Sequence, residues 1–458
     1  MKLKFTVSLL LIFTVLVYSG VKVEATEEYT VDTSEDLQQV FDKAEKNDVI
    51  TVKPGIYEGN FTINTSVTVI GEDGAIIKGP NEGNVITVNA DDVTIENFQI
   101  EGGGSQNAGI HLRSNRNIIK KNKLYNVFHG VTVRDGYGNI ITENMITSFK
   151  ESSIKGFAIY LVEAPNSRVT NNYSYDTNDG IYLSFSDFCE VSNNYIKKAR
   201  YGVHTMDSKD GIIAENFVTH SRIGLMIMQS YNFHIKNNYL YSNTQVDGTG
   251  MFIFDTFDSR ISTNVMKMNN KGMFLENAID NMIEFNIIEG NEKGIQVGKD
   301  SFRNEINLNN FVGNNLQVIS HEKSDNEFSW EGIGNFWDNQ RTLNLSESKT
   351  NDYAFKSGDV FYNLTMHEPY LQIFTGSPAV WLWNTIEQFV PMVSKKFIVD
   401  EYPLAQPVPI DLNFLNVTAN KSKETNSPNI SWKALTVFSV FISVSLLIIL
   451  IARREQHV

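Results

Sequence analysis

Four residues carry the donor set most able to do chemistry: His204, Met206, Met226 and Met228. Within each pair the residues are two apart, and the pairs are 22 residues apart. On a pleated strand, residues two apart point to one face, and stacked strands lie about 4.8 Å apart. If 22 residues make one repeat, the four form a two-by-two patch with neighbours roughly 5 to 7 Å apart. An imidazole with thioethers is a soft donor set that suits copper(I) and does not suit calcium or magnesium. The competing reading is padding: Met and His fill a face covered by the loop around Asp247 to Gly250, methionine being the usual filler of irregular apolar gaps. His129, His220 and His234 fall near corners of the repeat and read as surface histidines.

Carboxylates are less promising. Hydrolysis of a glycan needs paired or closely spaced acids, and many lyases need an acidic calcium cluster. The only Asp-Asp pair, Asp91-Asp92, precedes a strand and reads as a turn. Asp179, Asp207, Asp210, Asp255 and Asp258 are scattered. In an enzyme, Asp179, Asp207 and His204 would be the residues to suspect, but no catalytic residue stands out. The expectation is therefore a protein that is not an enzyme.

The elements that must position these residues follow from a repeat. Asparagine recurs at Asn97, Asn122, Asn144, Asn172, Asn194, Asn216, Asn238, Asn264, Asn286 and Asn309, most often 22 residues apart. Eight residues after most of them comes a glycine and an apolar-x-apolar triplet, as in Gly180-Ile181-Tyr182-Leu183 and Gly224-Leu225-Met226-Ile227. Period-2 alternation inside a 22-residue repeat leaves no room for a helix in each unit. The expected fold is all-β, a right-handed parallel β-helix whose identical positions form columns. Asparagine suits its corners by bonding backbone groups, tolerating left-handed dihedrals and stacking on its own copies. The rungs leading to Gly109, Ala158 and Gly250 are longer, so loops leave the coil at one corner. Ser34 is expected to cap a short covering helix with Leu37, Val40, Phe41 and Ala44 on its apolar face.

The middle residue of each triplet points outward, giving the column His111, Thr132, Tyr160, Tyr182, His204, Met226, Phe252, Phe274 and Gln296, with Met206, Met228 and Phe254 in the next. His111, Tyr160, Tyr182, Phe252, Phe254 and Phe274 make a sticky binding face. A sugar chain, a partner protein or an inserted loop would cover it.

Composition narrows the partners. The 458 residues carry a net charge of −14, which argues against nucleic acid. A single cysteine, Cys189, excludes an internal disulfide and thiolate-rich zinc sites. Residues 1–25, with Lys2, Lys4 and an apolar run, read as a secretory signal, followed by a coil over 26–330 and an extension and spacer over 331–430. Residues 434–452 are long and apolar enough to span a membrane once, and Arg453 and Arg454 put the tail 453–458 in the cytoplasm and the main domain outside. In the extension, Ser377 and Pro378 start a helix carrying Trp381, Ile386 and Phe389, suited to docking a partner or the bilayer surface.

Beyond the coils, the order Gly334-Asn335-Phe336-Trp337-Asp338, then Gly358-Asp359, then Ser377-Pro378-Ala379, then Val399-Asp400-Glu401-Tyr402-Pro403-Leu404 resembles the nitrous oxide reductase maturation family NosD over most of residues 30–410. One departure is the plain stretch Lys349 to Asp359, where the family has a Gly- and Asp-rich turn, so ion binding there is not carried over. The resemblance implies an extracytoplasmic factor that works with an ABC-type ATPase and permease, and with a copper chaperone, to build the copper centre of nitrous oxide reductase. Copper would then be a transient passenger. The competing functions are a cell-surface polysaccharide hydrolase, lyase or epimerase, and a glycan-binding coil without turnover.

Overall fold

The computed structural model describes residues 27–414 except 151–152, 299, 321–324, 341–347, 358–360, 362–363, 366–367, 375–376 and 390–397. The expected signal 1–25, the membrane span 434–452 and the tail 453–458 lie outside the described residues. No helix among the described residues is long and apolar enough to cross a membrane.

Alternation dictates the strands. In Ile118–Lys120, Ile140–Thr142 and Arg168–Thr170 the middle residue is buried and its neighbours are half-buried or exposed. In-register parallel pairing then stacks Ile95, Ile119, Ile141, Val169, Val191 and Ile213 into one inward column, each at most 1% exposed. β-branched residues fill such a column well because their restricted side chains pack on a pleated surface. One wall of the coil is thirteen strands deep, and every pairing between coil strands is parallel. The fold is an all-β parallel solenoid with few helices, as the repeat predicts.

The asparagines are the corner columns. Asn144 Oδ1 accepts from the backbone N–H and the Nδ2 of Asn122 at 3.0 and 3.1 Å, while its own Nδ2 donates to Ile119 O at 2.8 Å and to Asn172 Oδ1 at 3.1 Å. The pattern repeats through Asn172, Asn194, Asn216, Asn238, Asn264, Asn286 and Asn309. Buried amides are stable only when their donors and acceptors are met, and here the next rung meets them. Two expectations need correction. Asn97 is not in the ladder: that position belongs to Phe98, whose N–H donates to Asn122 Oδ1 at 3.0 Å. The left-handed residue at each corner is the one before the asparagine, including Thr263, Phe285 and Leu308 at φ 56, 54 and 55°. Nonglycine residues pay about 1–2 kcal/mol for that conformation, so the ladder and not the local sequence imposes it.

The ladder runs past residue 330 to Asn335, and Phe336–Trp337 pairs with Asn310–Phe311 as a further rung. There Asp400 closes the end. Its buried carboxylate accepts from Asn335 N–H and Trp337 Nε1–H, both at 2.8 Å, and from Tyr402 N–H at 3.1 Å. Trp337 stacks between Phe311 and Phe355 at 4.2 and 4.0 Å. Any Cβ at Gly334 would collide with the Asp400 carboxylate, which explains the glycine in that motif. At the other end the helix Leu37–Lys43 packs Leu37 and Phe41 inward. Its cap is Asp36, accepting from Gln38 and Gln39 N–H at 3.0 and 3.3 Å; Ser34 is instead held by Asp32 Oδ1. In the extension Ser377 Oγ accepts from Val380 N–H at 3.3 Å and caps the helix Pro378–Phe389 as expected.

Replacing Asn216 by Leu would remove the acceptor of the buried Asn194 N–H and the amide that donates to the Val191 carbonyl, while Asn194 Nδ2 would keep Val169 O and Ser192 O. We expect about 3 kcal/mol of lost stability by urea denaturation; a loss below about 0.5 kcal/mol would show that the ladder is dispensable. Gly334→Ala is expected to lower the thermal midpoint sharply, whereas Gly332→Ala, where an added Cβ meets no atom, should cost only its left-handed backbone.

Candidate metal-binding site

The parallel register places the outward column as expected: Thr132 beside Tyr160, Tyr160 beside Tyr182, Tyr182 beside His204, His204 beside Met226, Met226 beside Phe252, and Phe252 beside Phe274. Met206 lies beside Met228, and Met228 beside Phe254. The face is less open than the alternation implies. His204 is 6% and Met226 5% exposed, and Met206, Met228, His111, Tyr160, Tyr182, Phe252, Phe254 and Phe274 are half-buried. Phe157, from the insertion before Ala158, packs edge-on against Tyr160 and Tyr182 at 4.9 and 5.3 Å.

The rings stack along the coil axis. Tyr160 and Tyr182 lie 5.1 Å apart at 8°, Tyr182 and His204 4.3 Å apart at 7°, and Phe252 and Phe274 4.5 Å apart at 17°. These rings spend their faces on one another and turn edges outward. Each stacked pair covers the ring faces turned toward one another.

His204 is held on every side. Asp179, fully buried, binds Arg200 in a fork, Nε to Oδ1 and Nη2 to Oδ2, both at 2.8 Å, and its Oδ2 accepts from His204 Nδ1 at 3.0 Å. The Arg200 guanidinium lies 4.3 Å over the Tyr201 ring, and Tyr201 meets His204 edge-on at 5.1 Å. A carboxylate already forked by Arg200 has only acceptors to offer, so the proton sits on Nδ1 and the Nε2 lone pair is free. Among the described residues, His204 Nε2 is the one imidazole nitrogen buried without a partner. Beside it, the Tyr182 hydroxyl donates to Met206 Sδ at 3.2 Å, which fixes that sulfur next to the ring stacked on His204.

Of the three suspected acid–base residues, the fold brings Asp179 to His204, while Asp207 sits at a left-handed turn beyond the strand. Asp179 faces a guanidinium and an imidazole, with no second carboxylate in its hydrogen-bond shell. The Asp91-Asp92 pair is engaged by Arg116 at 3.1 and 2.8 Å, consistent with a structural turn. Among the described residues no three His, Cys, Asp or Glu converge on a metal-sized space. Arg200 escaped the sequence reading because a lone corner arginine breaks no period.

The other histidines divide. His129 is buried, contrary to its reading as a surface residue, because Phe128 and Phe157 enclose it and its Nδ1 accepts the Phe157 N–H at 3.0 Å. Burial pushes both His111 and His129 down to about 4. In the C-terminal helix Ile386 is exposed with Leu382 and Trp383; the side chains of Trp381 and Phe389 lie outside the described residues.

This geometry defines an all-parallel solenoid with a soft nitrogen and sulfur donor set in a half-closed face. A family model described as "Periplasmic copper-binding protein (NosD)" matches residues 147–341. A "Probable ABC transporter binding protein NosD" of Stutzerimonas stutzeri is 29% identical over 374 residues, covering 76% of this chain and 85% of that protein. A protein of the same description from Pseudomonas aeruginosa is 27% identical over 101 residues, 22% of this chain and 24% of that one. The A-module of the Azotobacter vinelandii mannuronan C-5 epimerase AlgE4 superposes with a TM-score of 0.51 at 14% identity, over 62% of this chain and 91% of that one, a likeness of fold. The chain is NosD-like, as its motifs indicate.

The histidine shifts carry a sign. Unfolded imidazoles titrate near 6.5, so the unfolded chain takes up protons on His111 and His129 that the folded chain refuses until about pH 4. Their contribution is present above pH 6.5 and is lost as the pH falls toward 4. The thermal midpoint should drop across that window, and His111→Asn with His129→Asn should flatten the drop; an unchanged slope would refute the assignment.

Proposed function

We propose that this chain is an extracytoplasmic assembly factor for the copper centre of nitrous oxide reductase, acting with an ABC-type ATPase and permease and receiving copper from a chaperone. The observation that carries the reading is the buried His204, its Nε2 free and thioethers on the same face, on a NosD-like coil. The similar proteins are described as periplasmic copper-binding and ABC transporter-binding, which supports copper handling outside the cytoplasm beside a transporter. In this reading the coil presents copper or the immature reductase outside the cell membrane. The run 434–452 anchors it in a single pass, with 453–458 in the cytoplasm. The exposed apolar side of the helix Pro378–Phe389, at Leu382, Trp383 and Ile386, is the docking surface for the transporter.

Deletion of the gene in its host should cause nitrous oxide to accumulate under denitrifying conditions, with copper-poor reductase. Normal nitrous oxide consumption would reject the reading. Release of reducing or unsaturated ends from a polysaccharide panel by the purified protein would move the assignment to a glycan-active enzyme using Asp179 and His204.

A further inference from the structure

A buried imidazole nitrogen without a hydrogen-bond partner is costly, and His204 Nε2 is one. Three contacts hold His204 in the one orientation that leaves Nε2 unpaired: the stack on Tyr182, the edge of Tyr201, and the hydrogen bond to Asp179. Rigidity of that kind, with a carboxylate on the far ring nitrogen, is what orients an imidazole for a metal and fixes its tautomer. Arg200 completes the arrangement by engaging both oxygens of Asp179, which holds the carboxylate in place against the ring.

The sulfurs are not equivalent. Met226 is in direct register with His204 on the next rung and is nearly buried. Met206 is two residues along the same strand and has its sulfur placed by the Tyr182 hydroxyl. Met228 lies a rung away in the outer column, in register with Met206 on one side and Phe254 on the other. Stacked rings and buried apolar neighbours exclude hard, hydrated cations and favour a weakly hydrated ion on soft donors.

We propose that His204 Nε2, Met206 Sδ and Met226 Sδ form a copper(I) site, with Asp179 and Arg200 as positioning residues and Met228 outside the ligand set. The assignment rests on the assembly-factor reading for its biological sense, but binding to the isolated protein is measured without reference to denitrification. The experiment is anaerobic competition of the full-length protein against a chromogenic copper(I) chelator, with copper K-edge absorption on the loaded sample. His204→Gln, Met206→Leu and Met226→Leu are each expected to weaken copper(I) binding about tenfold or more, and Met228→Leu by much less. His204→Gln should also remove the nitrogen contribution from the copper shell and leave sulfur. Thermal unfolding identifies any variant that fails to fold; the near-isosteric Met226→Leu keeps the test decisive if His204→Gln does so. Affinity unchanged in Met206→Leu and Met226→Leu would overturn the site even if gene deletion blocks nitrous oxide consumption. Normal consumption with the expected affinity losses would reject the assembly role and keep the site.

Discussion

Everything in this molecule depends on one hydrogen-bonding constraint: a buried backbone corner must find a partner for every N–H and C=O. A stacked coil turns its chain inside its own volume, where water cannot serve. The asparagine ladder meets the constraint by lending each rung the side chain of the next, so that Asn194 is satisfied by Asn216 and Asn216 by Asn238. A parallel ladder, Ser221 to Asn243 to Asn269 to Asn291 to Asn314, does the same at the corner where the coil turns toward the binding face. Because corners are fixed in register, the outward columns are fixed too, and His204 comes to lie between Tyr182 and Met226 with no long-range device beyond the repeat.

The repeat was legible because its signals are local and periodic. The asparagine spacing and the Gly-apolar triplets sufficed to place His204, Met206, Met226 and Met228 on adjacent rungs, and the observed register agrees. What alternation could not convey was burial. A period-2 pattern marks the outward direction but not what folds over it, so Phe157 against Tyr160 and the enclosure of His129 came from an insertion with no pattern of its own. Arg200 was invisible for the same reason, and the capping role of Asp36 over Ser34 turned on a two-residue difference in where the helix begins. Asn97 misled because its spacing to the next asparagine is off by little, yet it occupies the left-handed position one residue ahead of the ladder.

The A-module of the AlgE4 epimerase shares this fold at 14% identity, so function has to be read from the side chains of the site and not from the coil. Asp179 is fully buried within its strand, and Arg200 binds both of its oxygens. Held in that fork, the carboxylate fixes the orientation of the His204 ring through its hydrogen bond to Nδ1.

The closing contact at Asp400 has a temporal meaning. Rungs up to Asn309 can be satisfied in order as the chain lengthens, each waiting only about one repeat for its partner. Asn335 instead receives its acceptor from a residue 65 positions later. A chain emerging from one end therefore completes the long stack first and leaves its terminal edge unsealed until the segment around Asp400 arrives. That interval is when an open strand edge is available to pair wrongly with another chain. The final lock thus makes the terminal rung answer to a segment of the extension that is synthesised well after it.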